Sequence, residues 1–166
     1  MTKKMSKEKY IFSINLHSAL ALSAGLLSIT FCVLTQFGTG FSKPLQSLNI
    51  QIGLVLLAVL VAVLQYIYTR NIMKKQLAKL LNFDTLDDKV AKYHSLMVRS
   101  FYLSAFSLVT IAALSFFVTN NLLPCLAGLV LLFSVMLLKP SAHRMKMDLQ
   151  LSEKEIAEIY GDKWNK

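Results

Sequence analysis

From Ser100 to Leu138 the chain passes through two apolar blocks without one charged side chain, and Thr119, Asn120, Asn121 and Pro124 interrupt them in the middle. A helix needs roughly 20 apolar residues to cross a hydrocarbon core of about 30 Å, so this pattern predicts a membrane-spanning hairpin with a polar turn. The same plan occurs earlier in the chain. An apolar run from Ile11 to Phe37 is followed by a loop over Gly38 to Ser47, marked by Gly38, Gly40 and Pro44, and then by a second run from Leu48 to Tyr68. The predicted fold class is all-α: an integral membrane four-helix bundle of two transmembrane hairpins, with spans at about 11–37, 48–68, 99–118 and 123–138. Residues 1–140 form the transmembrane domain, and residues 141–166 form a short helical cytoplasmic tail.

The connection over residues 70–98 has a different pattern. Between Arg70 and Leu81, Met73, Leu77, Leu80 and Leu81 fall on one helical face, and Lys74, Lys75 and Lys79 fall largely on others. This predicts an amphipathic basic helix lying in the cytoplasmic membrane interface. Arg70, Lys74, Lys75 and Lys79 are the expected contacts with anionic lipid headgroups. Asn82 to Asp84 ends that helix. Thr85 is placed to cap the next one, with Asp87 and Asp88 in its first turn, where the helix dipole favours negative charge. This helix is expected to run through Tyr93 and Arg99 into the third span without a break, with Arg99 snorkelling to the headgroups. Pro124 suits the first turn of the fourth span, and Lys139-Pro140 marks the membrane boundary.

In the tail, Ser141 can cap a helix through Leu149. Ser152-Glu153-Lys154-Glu155 has capping-box spacing and begins another. Ile156, Ile159 and Tyr160 give the second tail helix an apolar edge, Gly161 suits its stop, and Trp164 suits an interface anchor. The tail is read as an ordered surface helix on the bundle, with a docking site for a protein partner as the other reading.

Composition agrees with the pattern. The 166 residues are 55% hydrophobic and only 16% charged, where about a quarter charged is usual for a soluble domain. The net charge of +9 is explained by topology and anionic headgroups rather than by nucleic acid, because the basic residues flank the apolar runs. The N-terminal segment carries four, the middle connection seven and the tail six; the first outer loop has only Lys43 and the second has none. By the positive-inside rule both termini are expected in the cytoplasm. The apolar run after Lys9 is too long for a signal h-region, so it is read as a retained helix. The plain layout, with no targeting extension, suggests a bacterial cytoplasmic membrane.

Two internal features qualify the plan. Ser18, Ala21, Gly25 and Ser28 form a small-residue stripe on the first helix, which permits close backbone approach where lipid provides no hydrophobic drive for association. Packing within its own bundle is the simpler reading than a dimer motif. Gly53-Leu54-Val55-Leu56-Leu57 also recurs as Gly128-Leu129-Val130-Leu131-Leu132, which raises a parallel duplication of the two hairpins.

Candidate chemistry is sparse. Apart from Arg99 at the edge of the third, no Asp, Glu, Lys or Arg falls inside a predicted span. Carboxylate-driven transport and membrane hydrolysis need such groups at depth. Asn15, His17 and Gln51 are the polar intramembrane candidates. His17 and His94 are expected at similar depth, and two histidines on different helices can hold haem iron through both axial positions; an interfacial, hydrogen-bonded histidine is the simpler reading. The span serines lack a base and an orienting group. Cys32 and Cys125 stand alone, as small buried residues or as a disulfide pair. No metal-ligand spacing and no phosphate-binding loop appears, and neither a metal nor a cofactor is expected.

The expected function is therefore that of a non-enzymatic assembly, scaffold or regulatory subunit acting through its cytoplasmic face. Its expected partners are anionic lipid and a membrane or cytoplasmic protein. A small permease or channel component is the alternative, with haem-binding electron transfer third. A four-span layout is shared by unrelated groups, and fold does not imply function.

Overall fold

The computed structural model describes residues 7–37, 45, 47–83, 85–120, 122–138 and 141–160, without the side chains of Lys7, Glu8 and Ile72. Of the loop expected at Gly38 to Ser47 all but Leu45 and Ser47, and likewise the boundary at Lys139-Pro140, the stop at Gly161 and the anchor at Trp164, lie outside the described residues. Those residues form an all-helical structure: α1 (Lys7–Phe37), α2 (Leu48–Ile67), a π-helical turn (Tyr68–Ile72), α3 (Met73–Leu80), α4 (Leu86–Ser115), α5 (Leu122–Leu137), α6 (Ala142–Leu149) and α7 (Glu153–Tyr160). Three helical runs are long and apolar enough to cross a membrane, and α5 with α6 makes a fourth if that bent pair is one span.

The limits of these helices follow from backbone chemistry. Thr85 accepts a hydrogen bond from Asp88 N–H at 3.2 Å and so caps α4. At the other end of α4, Phe116, Phe117 and Val118 donate to the carbonyls three residues back. That tightened turn satisfies the terminal carbonyls and ends the α-helix at Ser115 rather than at 118. Ser141 accepts from Arg144 N–H at 3.1 Å and starts α6. Ser152 and Glu155 form the reciprocal capping box of α7, with Ser152 N–H to Glu155 Oε2 at 2.8 Å and Glu155 N–H to Ser152 Oγ at 3.3 Å.

The segment after α2 departs from expectation. It does not begin a separate helix at Arg70. α2, the π-turn and α3 are one uninterrupted run from Leu48 to Leu80. Thr69, Arg70 and Asn71 include no proline or glycine, so nothing compels a break, and the change of face is absorbed by one widened turn. On α3, Met73 and Leu80 are buried and Lys74, Lys75 and Lys79 are exposed. α5 has 16 residues, or roughly 24 Å at 1.5 Å per residue, short of a full hydrocarbon crossing. The chain then bends by 83° into α6.

α4 packs on α1, α2 and α5, and α1 and α2 each also contact α5. Its buried positions recur at three- and four-residue spacing and include Ser100, Ser104, Ser107 and Ser115. The facing stripe of α1 is Ile14, Ser18, Ala21, Gly25, Ser28, Cys32 and Thr35, all buried. Alternating steps of four and three average 3.5 residues, the spacing that keeps one seam against a neighbouring helix. The small stripe read from the sequence is thus used inside this chain. The outward faces stay apolar: Leu27, Leu56, Phe106 and Phe133 are all exposed. α2 buries little: Ala58, Ala62 and Gln65 alone along its 20 residues.

The two matching pentapeptides occupy different environments. Gly128, Leu131 and Leu132 are buried, whereas Gly53, Leu56 and Leu57 are exposed. Their likeness in sequence is not matched by equivalent packing.

Candidate functional site

The starts of α1 and α4, α3, α6 and α7 gather at one end of the structure, which carries Arg70, Lys74, Lys75, Lys79, Lys89, Lys92 and Arg144. α6 and α7 pack against each other there, α7 against α1 and α6 against α3. Met145, Leu149, Leu151, Ile156 and Ile159 are all buried. The apolar edge of the tail is therefore spent within the chain. At the opposite end, Gln51 Oε1 accepts from Thr119 N–H at 2.9 Å and Thr119 Oγ1 at 2.6 Å. Leu45 N–H also donates to Phe117 O at 3.1 Å. Gln51, one of the polar intramembrane candidates, here ties two turns together.

His17 and His94 do come together. Their ring centroids are 6.5 Å apart, edge to face. Ser13, one turn before His17 on α1, lies between them: its Oγ is 2.9 Å from His94 Nε2 and 3.3 Å from His17 Nδ1. His17 Nδ1 is also 2.6 Å from Ser13 O. A carbonyl only accepts, so Nδ1 carries the proton and donates. Tyr10 packs on His94 at 5.1 Å and Tyr102 on His17 at 5.4 Å. A haem between the two rings would need the gap that Ser13 fills. Ser13 had no signal in sequence, because its role depends on a partner 81 residues away.

Asn15 is exposed on α1, away from this cluster. The cleft beside His17 is lined by Leu20, Ala21, Ala24, Phe101, Tyr102 and Ala105. It shares no lining residue with the cleft beside Gln51. His17 lies near the start of α1, beside His94 near the start of α4, whereas Gln51 is bonded to Thr119 past the other end of α4. Asn15, His17 and Gln51 are thus not brought onto one route.

Many of the other span polar groups are bonded locally or between helices. Ser28, Ser100, Ser107, Ser115 and Ser134 donate to carbonyls one turn back, at 2.8–3.0 Å. Gln65 donates to Ser104 Oγ at 2.8 Å and links α2 to α4. Cys32 Sγ donates to Ser115 Oγ at 3.4 Å. Cys32 and Cys125 are both free thiols, so the disulfide alternative is not realised. Ser18 Oγ and Tyr68 OH are buried without a partner among the described residues. No group of three or more metal-ligating side chains forms among the described residues.

The basic end holds a cleft of about 260 Å³ between the π-turn with α3 on one side and α5 with α6 on the other. Arg70, Lys74, Arg144 and Asp148 supply its charge. Arg144 is held in place: Nε donates to Asp148 at 3.3 Å, and Nη1 donates to the Leu137 carbonyl at the end of α5. Arg70 donates to Tyr66 OH at 3.1 Å. Two of the four expected lipid-contacting residues, Arg70 and Lys74, line this cleft; Lys75 and Lys79 are exposed outside it. Arg144 was not among the sequence candidates, because only the α5–α6 bend carries it there.

No family model, curated protein or solved structure matches this chain.

Proposed function

We propose that this chain is an integral membrane four-helix bundle whose spans are structural and whose work is done at its basic end. In this reading it is a non-enzymatic assembly, scaffold or regulatory subunit. α1, α2 and α4 cross the bilayer, α5 makes the fourth span together with the bent segment that follows it, and both termini face the cytoplasm of a bacterial inner membrane. One observation carries the reading. Residues 11–37, 48–68, 100–115 and 122–137 hold no Asp, Glu, Lys or Arg, and many of the polar side chains along them are bonded to backbone or to neighbouring helices. Ordered short helices and basic side chains are instead concentrated at one end. Intramembrane chemistry and ion-coupled transport need unspent ionisable groups at depth. The surface offered to a partner includes exposed Met147, with Lys75, Lys79, Lys92 and Lys154 exposed at the same end.

The test is native mass spectrometry of the full chain, tagged at its C-terminus and extracted gently from its own membrane. A second polypeptide in fixed ratio is the expected result. A lone monomer or homo-oligomer would count against the subunit reading. Solute flux in proteoliposomes that His17→Ala abolishes would replace it with the permease reading.

A further inference from the structure

We propose that the basic cleft is a binding site for one anionic phospholipid, whose phosphate is held by Arg70, Lys74 and Arg144. The proposal deepens the reading above and rests on its membrane placement, not on its protein partner.

Charge complementarity selects the ligand. Three cations and one carboxylate, Asp148, line the cleft. Asp148 is already engaged by Arg144. A guanidinium has five N–H donors, and the bonds to Asp148 and Leu137 use two of Arg144's. That fixed fork retains donors suited to phosphate oxygens. Arg70 and Lys74 reach the same cleft from the π-turn and the first turn of α3. Widened helical turns of this kind are frequent at functional sites.

The remaining lining separates a lipid from a free phosphate. Met73, Leu77, Leu137 and Leu138 make an apolar wall beside the cations, and Met73 is only 2% exposed. A soluble anion has no use for that wall, whereas a lipid's glycerol and first acyl carbons do. The site lies where α2 passes from an apolar sequence to a basic one. There a headgroup and the start of its chains are available together. Diffuse attraction would treat Lys75 and Lys79 like Lys74; a built site does not.

The experiment is native mass spectrometry of the full chain in detergent, titrated with phosphatidylglycerol. One saturable adduct is expected, bound more tightly than phosphatidylcholine. Arg70→Gln and Lys74→Gln should each weaken it about fivefold. The double variant Lys75→Gln with Lys79→Gln should leave it unchanged. Arg70→Lys, which keeps the charge and guards against a folding defect, should retain most of the binding. Equal weakening by both sets of variants, or no preference over phosphatidylcholine, would overturn the site. Displacement by excess glycerol phosphate would overturn the lipid assignment in favour of a soluble phosphate ester. Each of these failures would leave the copurification result unaffected, so the two readings fall separately.

Discussion

Gly25 and Leu132 meet across α1 and α5: a β-carbon at Gly25 would lie 2.6 Å from Leu132 Cδ1. Four residues away the roles reverse, and a β-carbon at Gly128 would lie 2.7 Å from Ile29 Cδ1. Each helix thus offers a glycine to a large side chain of the other. Dispersion at close range drives association where lipid is as apolar as the helices themselves.

Gly25→Leu should therefore cost about 1–3 kcal/mol by overpacking. The check is its thermal midpoint in detergent against wild type. Gly25→Ala should cost less, because the obstacle is the mobile end of a leucine. Gly53 has nothing within 4 Å of the corresponding position, so Gly53→Ala should match or exceed wild-type stability. A large loss from Gly53→Ala would contradict this packing.

Gln65 and Ser104 couple α2 to α4 through a bond of 2.8 Å. A double-mutant cycle with Gln65→Leu and Ser104→Ala should give a coupling of about 0.6 kcal/mol, the average for such intramembrane bonds. A coupling near zero would mean that the amide finds an equivalent partner elsewhere.

The capping box makes α7 sensitive to acid. The backbone N–H of Ser152, followed by its hydroxyl, holds the Glu155 carboxyl below its ordinary range. A depressed folded pKa means that its stabilisation is present above the unfolded value of about 4.3. It is lost as the pH falls through the folded value. Amide exchange in α7 should therefore be slow near pH 6 and accelerate below about pH 4 beyond its intrinsic pH dependence. Glu155→Gln should remove that acid-dependent component. Ser152→Ala should loosen α7 at every pH by about 0.5–2 kcal/mol, the usual worth of an N-cap.

Gln150 ends α6 in the left-handed region, at φ 51° and ψ 45°. An L-residue pays about 1–2 kcal/mol there and glycine does not. The bonds that close the turn run from Gln150 N–H and Leu151 N–H to Lys146 O, and they do not involve the Gln150 side chain. Gln150→Gly should raise the thermal midpoint, and a fall would show that the side chain makes a contact of its own.

Charge-free apolar runs, polar caps and small-residue spacing are local properties, and they were legible in the sequence. The length of the apolar runs placed the long helices, because the cost of an unbonded backbone allows little else in lipid. Thr85, Ser141 and Ser152 announced their helices because a cap acts on a backbone N–H within three residues. The stripe at Ser18, Ala21, Gly25 and Ser28 announced a close approach, but not to which helix. The continuity of α2 with α3 was not legible, since a basic run after Tyr68 suits a separate helix as well as an extended one. Nor was the meeting of His94 with Ser13, the use of Gln51 to tie two turns, or the entry of Arg144 beside Arg70 and Lys74. Each joins residues far apart in the chain, so it depends on how α1, α4 and α5 dock and on the 83° bend after α5. The sequence by itself determined which segments are helical and which of their faces are apolar. Only the tertiary structure decided which polar groups share a site, because direction and depth are set by packing between helices and not by the period along one.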